Sequence, residues 1–237
     1  MQLNFNWKDR SVELDKLEQK FYLFSQSSLM LNDRANHYLP RFNYSACELW
    51  LCAEICHLVN YDGGNIQSIS DGDIFLYNED FKRDLTLYSG GITNKPTILH
   101  HIEVKLIYPT AVSKFTESVN SLYDKIYNSG HSDYNQEGWV YLVWTQHYDI
   151  SPDVFFESRV EWLKSLLDSK ECYDKENKKL ITLYSHLHDI AEGSIKWRGE
   201  NKKIIVKAIS FTLKNFREIT KDVKKEWSET FKILADR

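Results

Sequence analysis

The sequence is poor in the residues that mark disordered, disulfide-bonded or membrane-spanning chains. Only 9 Gly and 4 Pro occur among 237 residues, which argues against low complexity and disorder. The 4 Cys are too few for a disulfide framework in a chain of this length, so reduced thiols are expected. There is no run of about eighteen apolar residues and no apolar signal segment at the N-terminus. These absences predict a soluble, cytoplasmic protein without a membrane partner.

The chain also lacks a strong excess of charge of either sign. Its formal net charge is −4 and its pI is about 6.1. A large excess of basic residues would have indicated nucleic-acid binding directly. A local basic face is sufficient for such binding, however, even when the net charge is negative. Carboxylates in a metal site lower the sum as well. Net charge is therefore only a weak argument against a nucleic-acid function.

The periodicity of apolar residues indicates alternating helices and strands around a real core, since 42% of residues are hydrophobic. Helical spacing predicts helices at 12–29, 46–60, about 110–128, 153–168, 180–191 and 216–235. Alternation or a short apolar run predicts strands at 65–77, 82–88, 98–108, 138–146 and 203–213. Residues 32–44 are expected to be a connection and 89–97 a turn. One α/β domain over 1–237 accounts for this pattern.

The strand at 98–108 carries an unusual set of polar residues. Side chains alternate between the two faces of a strand, so His101, Glu103 and Lys105 share one face. The strand at 82–88 supplies Asp84, which an antiparallel pairing across the turn brings close to Glu103 and Lys105. Two converging carboxylates repel each other, and a hard cation such as Mg²⁺ relieves that repulsion. A lysine beside the metal can orient or deprotonate a water molecule, so the set is suited to phosphodiester hydrolysis.

Asp84, a turn, and then Glu103-Val104-Lys105 resembles the signature of the PD-(D/E)xK nucleases, the restriction-endonuclease-like fold. The predicted order of helix, three strands, helix and strand over about 45–146 is similar to that family's core. An N-terminal helix and an α/β addition at about 150–237 would flank it. The resemblance implies that Asp84 and Glu103 bind metal and that Lys105 acts on the water. One departure is Arg83, which stands where the family usually has proline.

The family often adds an acid from the preceding helix, and here Glu48 and Glu54 are the candidates. At about 100° per residue, Glu48 lies on the apolar stripe of the 46–60 helix, and Glu54 lies roughly 120° away. Glu48 is therefore preferred as the fourth catalytic residue and third metal ligand. Ser45 and Glu48 also fit a capping box, which is the structural alternative.

Several weaker features remain open. His101 is a possible substrate contact or a half-buried strand histidine. Arg198 and Lys202, in a basic segment beside Trp197, are possible contacts to a DNA backbone or parts of a polar hairpin. Cysteines in the 46–60 helix suggest small buried side chains more than a metal site. An Asp-Gly-Asp bend at 71–73 is favoured over a second acidic contribution.

The resemblance implies a Mg²⁺-dependent endonuclease that cuts DNA, most readily double-stranded, with Mn²⁺ as a substitute metal. A restriction or phage-defence role is expected, and a repair or recombination nuclease is nearly as consistent. Enzymes of this kind that cut both strands often pair two subunits, which implies a homodimer on analogy alone. The alternatives are a non-catalytic nucleic-acid-binding module on the same fold, or an unrelated α/β interaction protein with a surface Glu103–Lys105 pair.

Overall fold

The computed structural model describes residues 21–43, 47–60, 74–79, 83–89, 97–108, 112–129, 135–147, 149–174 and 176–215, and the structural statements below concern these. They form a mixed α/β fold with an open sheet of seven strands. The helices are α1 (Tyr22–Asp33), α2 (Ala35–Tyr38), α3 (Cys47–Asn60), α4 (Val112–Ser129) and α5 (Pro152–Asp168), with a 3-10 helix at Leu39–Asn43. The strands are β1 (Ile74–Asn78), β2 (Leu85–Ser89), β3 (Thr97–Ile107), β4 (Asn135–Thr145), β5 (Leu180–Tyr184), β6 (His188–Trp197) and β7 (Glu200–Asn215).

The sheet has the order β1-β2-β3-β4-β7-β5, and β6 pairs with β7 as well. Strands β3 and β4 are parallel, and every other pairing is antiparallel. A parallel pair needs a crossover connection, and α4 lies in the segment that connects β3 to β4. The second half of the chain joins the sheet through β7, which lies directly beside β4.

Alternation along β3 divides the core into two layers. Ile102, Val104 and Leu106 pack into the layer that contains the buried residues of α1 and α3. Ile107 packs into the opposite layer, with the buried residues of α4 and α5. Helices therefore cover both faces of the central strands, and the residues between these apolar positions, Glu103 among them, belong to the α4 face.

Strand β2 covers only part of its neighbour β3. Its first residue lies opposite Ile102, so the edge of β3 beyond Ile102 is not paired with β2. The last pair in their register is Leu85 with Ile102, whereas β3 continues to Ile107. On its other side, β3 stays paired with β4 as far as Ile107 and Leu142. Among the described residues, the N–H groups of β3 beyond Ile102 that face away from β4 consequently have no strand partner, and they need other acceptors.

Gly138 of β4 lies opposite Glu103 in the β3–β4 register. A Cβ atom at this position would come within 2.5 Å of the Phe211 ring and 2.6 Å of the end of Ile126. The close approach of β7 and α4 at this point therefore depends on the missing side chain.

The predicted elements from 46 to 168 that lie in the described residues are confirmed, with small shifts at their ends. These are α3, β2, β3, α4, β4 and α5, and the predicted strand at 203–213 is confirmed as the longer β7. Of the predicted strand at 65–77, the described part begins at Ile74. The predicted helix at 216–235, the possible cap Ser45, the Asp-Gly-Asp bend and most of the 89–97 turn lie outside the described residues.

Two predictions differ from the structure. The predicted helix at 180–191 is wrong, because Leu180–Tyr184 form β5 and His188 begins β6. Both pair with β7, so an available strand edge outweighs a weak helical spacing. The predicted connection at 32–44 contains the last turn of α1, the short α2 and a 3-10 helix. In the described part of the chain, no helix is long and apolar enough to span a membrane.

Candidate active site

Two carboxylates accept the backbone N–H groups that β2 leaves unpaired on β3. Asp84, which directly precedes β2, accepts a hydrogen bond from the backbone N–H of Val104 at 2.7 Å. Glu48, in the first turn of α3, accepts one from the backbone N–H of Leu106 at 3.1 Å. Alternate N–H groups of a strand point to the same edge, so both acids lie along the free edge of β3.

Lys105 lies between these two positions on the strand. Its ammonium donates a hydrogen bond to Oε1 of Glu48 over 3.1 Å, and both side chains are about one-third exposed, at 34% and 33%. Glu48 belongs to α3, on the face opposite to the one that alternation assigns to Lys105. The Lys105 side chain therefore passes around the free edge of the sheet, where solvent reaches both partners.

Glu103 is the buried carboxylate of the group, with a side chain only 1% exposed. Nη1 of Arg83 donates to its Oε1 at 2.9 Å, and Nζ of Lys125 donates to its Oε2 at 2.7 Å. Arg83 directly precedes Asp84, and Lys125 comes from α4. A carboxylate this far from solvent requires charged partners, and Glu103 has one on each oxygen.

The residues around the free edge balance each other in formal charge. The carboxylates are those of Glu48, Asp84 and Glu103, and the cations are Arg83, Lys105 and Lys125. Counted over these described residues, three negative and three positive groups leave no formal net charge. We call these six residues the edge cluster.

Two groups of the edge cluster, Asp84 and Lys125, have pKa values that burial and neighbouring charges shift. Burial raises the pKa of the Asp84 carboxyl above its usual range, the backbone N–H of Val104 lowers it, and Glu103 raises it. Burial lowers the pKa of the Lys125 ammonium, but Glu103 outweighs this, and the net pKa is raised. Lys125 is therefore held in its charged form, whereas ionised Asp84 is disfavoured relative to a carboxylate in water.

A buried thiol lies next to the acids. Burial raises the pKa of Cys52, and Asp84, Glu48 and Glu103 raise it further. Burial also raises the pKa of the Cys56 thiol to about 12. Both thiols are consequently protonated at neutral pH, as expected of cysteines that serve as small apolar side chains and not as thiolate ligands.

The structure brings Glu48, Asp84, Glu103 and Lys105 to one edge and leaves His101, Arg198 and Lys202 elsewhere. Glu54, the alternative to Glu48, lies near Tyr38, whose pKa is raised first by burial and then by Glu54. His101 is buried, with Nδ1 at 2.9 Å from Oγ1 of Thr86 on β2. In this arrangement His101 supports the β2–β3 pairing and is not open to a substrate phosphate.

Arg198 and Lys202 lie at the tip of the hairpin that β6 and β7 form. Arg198 and Gly199 make the turn with positive φ angles of 49° and 87°. Lys202 is near Nδ1 of His147, at 2.9 Å, just beyond β4. Strand spacings along the register put Lys202 about 25 Å from Lys105. The hairpin tip is thus remote from the edge cluster.

Sequence reasoning gave no role to Lys125 and treated Arg83 only as a departure from a motif. The sequence did contain a signal for Lys125. It lies on the polar side of a predicted amphipathic helix that directly follows the strand of Glu103. No comparable signal existed for Arg83, because its partner depends on where the chain turns into β2. The contacts of these two cations with Glu103 follow from tertiary structure alone.

The chemistry of the edge cluster fits a hard divalent cation, although its oxygens are engaged by protein groups. Carboxylate oxygens are the ligands that Mg²⁺ prefers. The pKa of Asp84 is raised first by burial and further by Glu103, and a bound cation would favour the ionised form against both effects. Within the described residues, no group of three or more His, Cys, Asp or Glu side chains is already arranged around a metal position. A cation would bind by replacing Lys125 or Lys105 on the carboxylates.

Replacing Asp84 with Asn is expected to stabilise the fold at neutral pH by on the order of 1 kcal/mol, or a rise in Tm of about 2–4 °C. The pKa of Asp84 is higher in the folded protein than its ordinary value of 3.8. The contribution of Asp84 to the free energy of unfolding is therefore fully present at a pH below 3.8 and is lost as the pH rises through the folded pKa. Asn removes that loss and keeps an acceptor for Val104. Thermal melts at neutral and strongly acidic pH measure the difference, with Asp149→Asn, at an exposed position, as control. An equal gain at both pH values would contradict the reasoning.

The edge cluster joins the two residues that precede β2, the C-terminal half of β3 and the helices α3 and α4, which lie on opposite faces of the sheet. Comparison of the chain with protein-family models, with curated proteins and with solved structures found no match.

Proposed function

We propose that the protein is a Mg²⁺-dependent endonuclease that hydrolyses phosphodiester bonds of double-stranded DNA, with a core of the PD-(D/E)xK type. The observation that carries the proposal is the edge cluster. Asp84 and Glu48 flank a lysine on an unpaired strand edge, and Glu103 lies buried beside them. A structural role alone would need an acceptor for each free N–H, but it would not need three acids and a lysine together.

Each residue has a proposed role. Asp84 and Glu103 supply metal ligands, and Glu48 supplies a third carboxylate from α3. Lys105, about one-third exposed, orients the attacking water and stabilises the negative charge that develops on the phosphate. Glu48 holds the Lys105 ammonium at 3.1 Å and so fixes the side chain next to the position of the water. Bound Mg²⁺ would polarise the phosphate and lower the pKa of a coordinated water.

The hairpin tip supplies a second proposed contact to DNA. Its basic residues lie about 25 Å or more from Lys105 along the sheet, while one turn of duplex DNA spans about 34 Å. Arg198 and Lys202 could therefore touch the backbone of the same duplex that the edge cluster cuts. Such contacts would add affinity that does not depend on sequence and weakens as salt increases.

We also propose a cytoplasmic homodimer acting in restriction or phage defence, because cutting both strands is simplest with two paired sites. A repair or recombination nuclease uses the same chemistry and remains the alternative role. A non-catalytic binding module on the same fold is favoured by one observation: the edge cluster is already neutral without a metal.

The test is cleavage of supercoiled plasmid by the purified wild-type protein in Mg²⁺, in Mn²⁺ and in excess chelator. We expect nicked and linear products with either metal and none with chelator. Single-stranded DNA and structured RNA are assayed in parallel, because the nucleic-acid class rests on resemblance. Binding of duplex DNA without cutting in any metal would support the binding module. If the protein neither binds nor cuts any nucleic acid, that result would overturn the proposed function.

A further inference from the structure

Both carboxylate oxygens of Glu103 are bonded to cations of the protein. Arg83 bonds one oxygen and Lys125 bonds the other. The two oxygens that a metal would approach are thus both engaged by protein cations. This arrangement deepens the proposed function and rests on it.

The two cations differ in how firmly they are held. Arg83 is 22% exposed, and its Nη1 also lies 3.4 Å from the backbone carbonyl oxygen of Lys125. Lys125 is 51% exposed, and its ammonium lies at the end of a flexible four-carbon side chain. Because half of this side chain is already in contact with solvent, Lys125 can leave Glu103 and remain solvated more readily than the less exposed Arg83.

A divalent cation and an ammonium cannot share Oε2 of Glu103 without strong repulsion. Ligand oxygens lie about 2.0–2.1 Å from Mg²⁺, so an ammonium still bonded to that oxygen would be only a few ångströms from the ion. Metal binding should displace the more mobile cation. A displaced Lys125 stays close to the metal, where a phosphate oxygen of the bound substrate would be available as an anionic partner.

We propose that Lys125 is a positioning residue that occupies the metal's position on Glu103 and moves to a substrate phosphate when the metal binds. Arg83 remains on Glu103 in both states. Binding of the metal and binding of the nucleic-acid backbone are then coupled. The metal releases Lys125 from Glu103 for a phosphate, and the phosphate accepts the ammonium that the metal displaces. Without metal, Lys125 neutralises the buried acid; with metal and substrate, it neutralises a phosphodiester instead.

The test measures metal binding and DNA binding separately, without relying on turnover. Mn²⁺ affinity is measured by calorimetry in the absence of DNA, for the wild type, Lys125→Met and Lys125→Arg. The matched control is Lys114→Met, an exposed lysine on the same helix about 16 Å away at the helical rise. Affinity for a labelled duplex is measured by anisotropy in Ca²⁺ and in chelator.

We expect Lys125→Met to bind Mn²⁺ about 10-fold more tightly than the wild type, because the competing ammonium is gone. Its affinity for duplex in Ca²⁺ should fall about 10-fold, and Ca²⁺ should no longer increase DNA binding as strongly as in the wild type. Lys125→Arg and Lys114→Met should resemble the wild type in both measurements. A role in stability alone would not tighten metal binding.

A second readout needs no variant and so does not depend on how well one folds. Acetylation of Lys125 in the wild type, followed by mass spectrometry, should be faster with Mn²⁺ than with chelator, since an unpaired amine reacts more readily. Equal rates, or unchanged Mn²⁺ affinity in a folded Lys125→Met, would overturn the inference and leave the proposed function intact. Absence of saturable Mn²⁺ binding by the wild type would overturn both.

Discussion

Replacing Lys105 with Met is expected to lower the initial rate of Mg²⁺-dependent plasmid cleavage by about 10²–10⁴-fold, the range typical of losing a positioned acid–base or charge-stabilising group. The proposed roles of Lys105 require an ammonium at the free edge of β3. Stability should change by less than about 1 kcal/mol, because the Lys105–Glu48 pair is one-third exposed and water screens it.

A control for this loss of activity is available in the same sheet. Lys207 of β7 is 28% exposed and pairs with Asp189 at 2.9 Å, so it is a paired sheet lysine with an exposure close to that of Lys105. Lys207→Met should therefore keep wild-type cutting. Asp84→Asn should lose cutting while gaining stability at neutral pH, a combination that general unfolding cannot produce. Cutting by both Lys105→Met and Asp84→Asn at rates close to the wild type would remove these residues from the active site.

Removing both cations from Glu103 is expected to be the most destabilising change in the edge cluster. Arg83→Met combined with Lys125→Met leaves a carboxylate that is 1% exposed without a charged partner, which costs about 3–5 kcal/mol. Each single variant keeps one cation and should cost about 1 kcal/mol. The two substitutions should therefore be strongly non-additive in a double-mutant cycle measured by urea unfolding.

Two further variants separate this mechanism from a general loss of surface charge. Adding Glu103→Gln to the double variant removes the unpaired charge and should restore most of the lost stability. Lys203→Met with Lys207→Met removes two lysines whose partners, Glu192 and Asp189, are 61% and 75% exposed. That pair should be additive and nearly neutral. Strict additivity at Arg83 and Lys125 would contradict the view that they jointly compensate Glu103.

The sequence predicted local structure well where periodicity was strong and where strand edges were not at issue. Alternation over 98–108 correctly assigned Ile102, Val104 and Leu106 to one core layer. The helix of 46–60 was predicted with its apolar stripe, and Glu48, chosen over Glu54 by helical angle, does contact β3. The weak helical spacing at 180–191 led to the wrong prediction of a helix. These residues form strands because they pair with the edge of β7, which exists only in the assembled sheet.

The sequence by itself determined which chemistry-bearing residues exist and, for Glu48, Glu103 and Lys105, on which face of its helix or strand each lies, since helical and strand periods are local properties of the backbone. It also gave Asp84 as a candidate, but within a predicted strand at 82–88, whereas Asp84 lies just before β2. Only the tertiary structure decided that β2 begins at Leu85, which leaves the N–H groups of Val104 and Leu106 to the two acids. It also decided that Arg83 and Lys125 meet on Glu103. These contacts join residues 20 to 58 positions apart, and the pairing of distant segments depends on packing that no local pattern encodes.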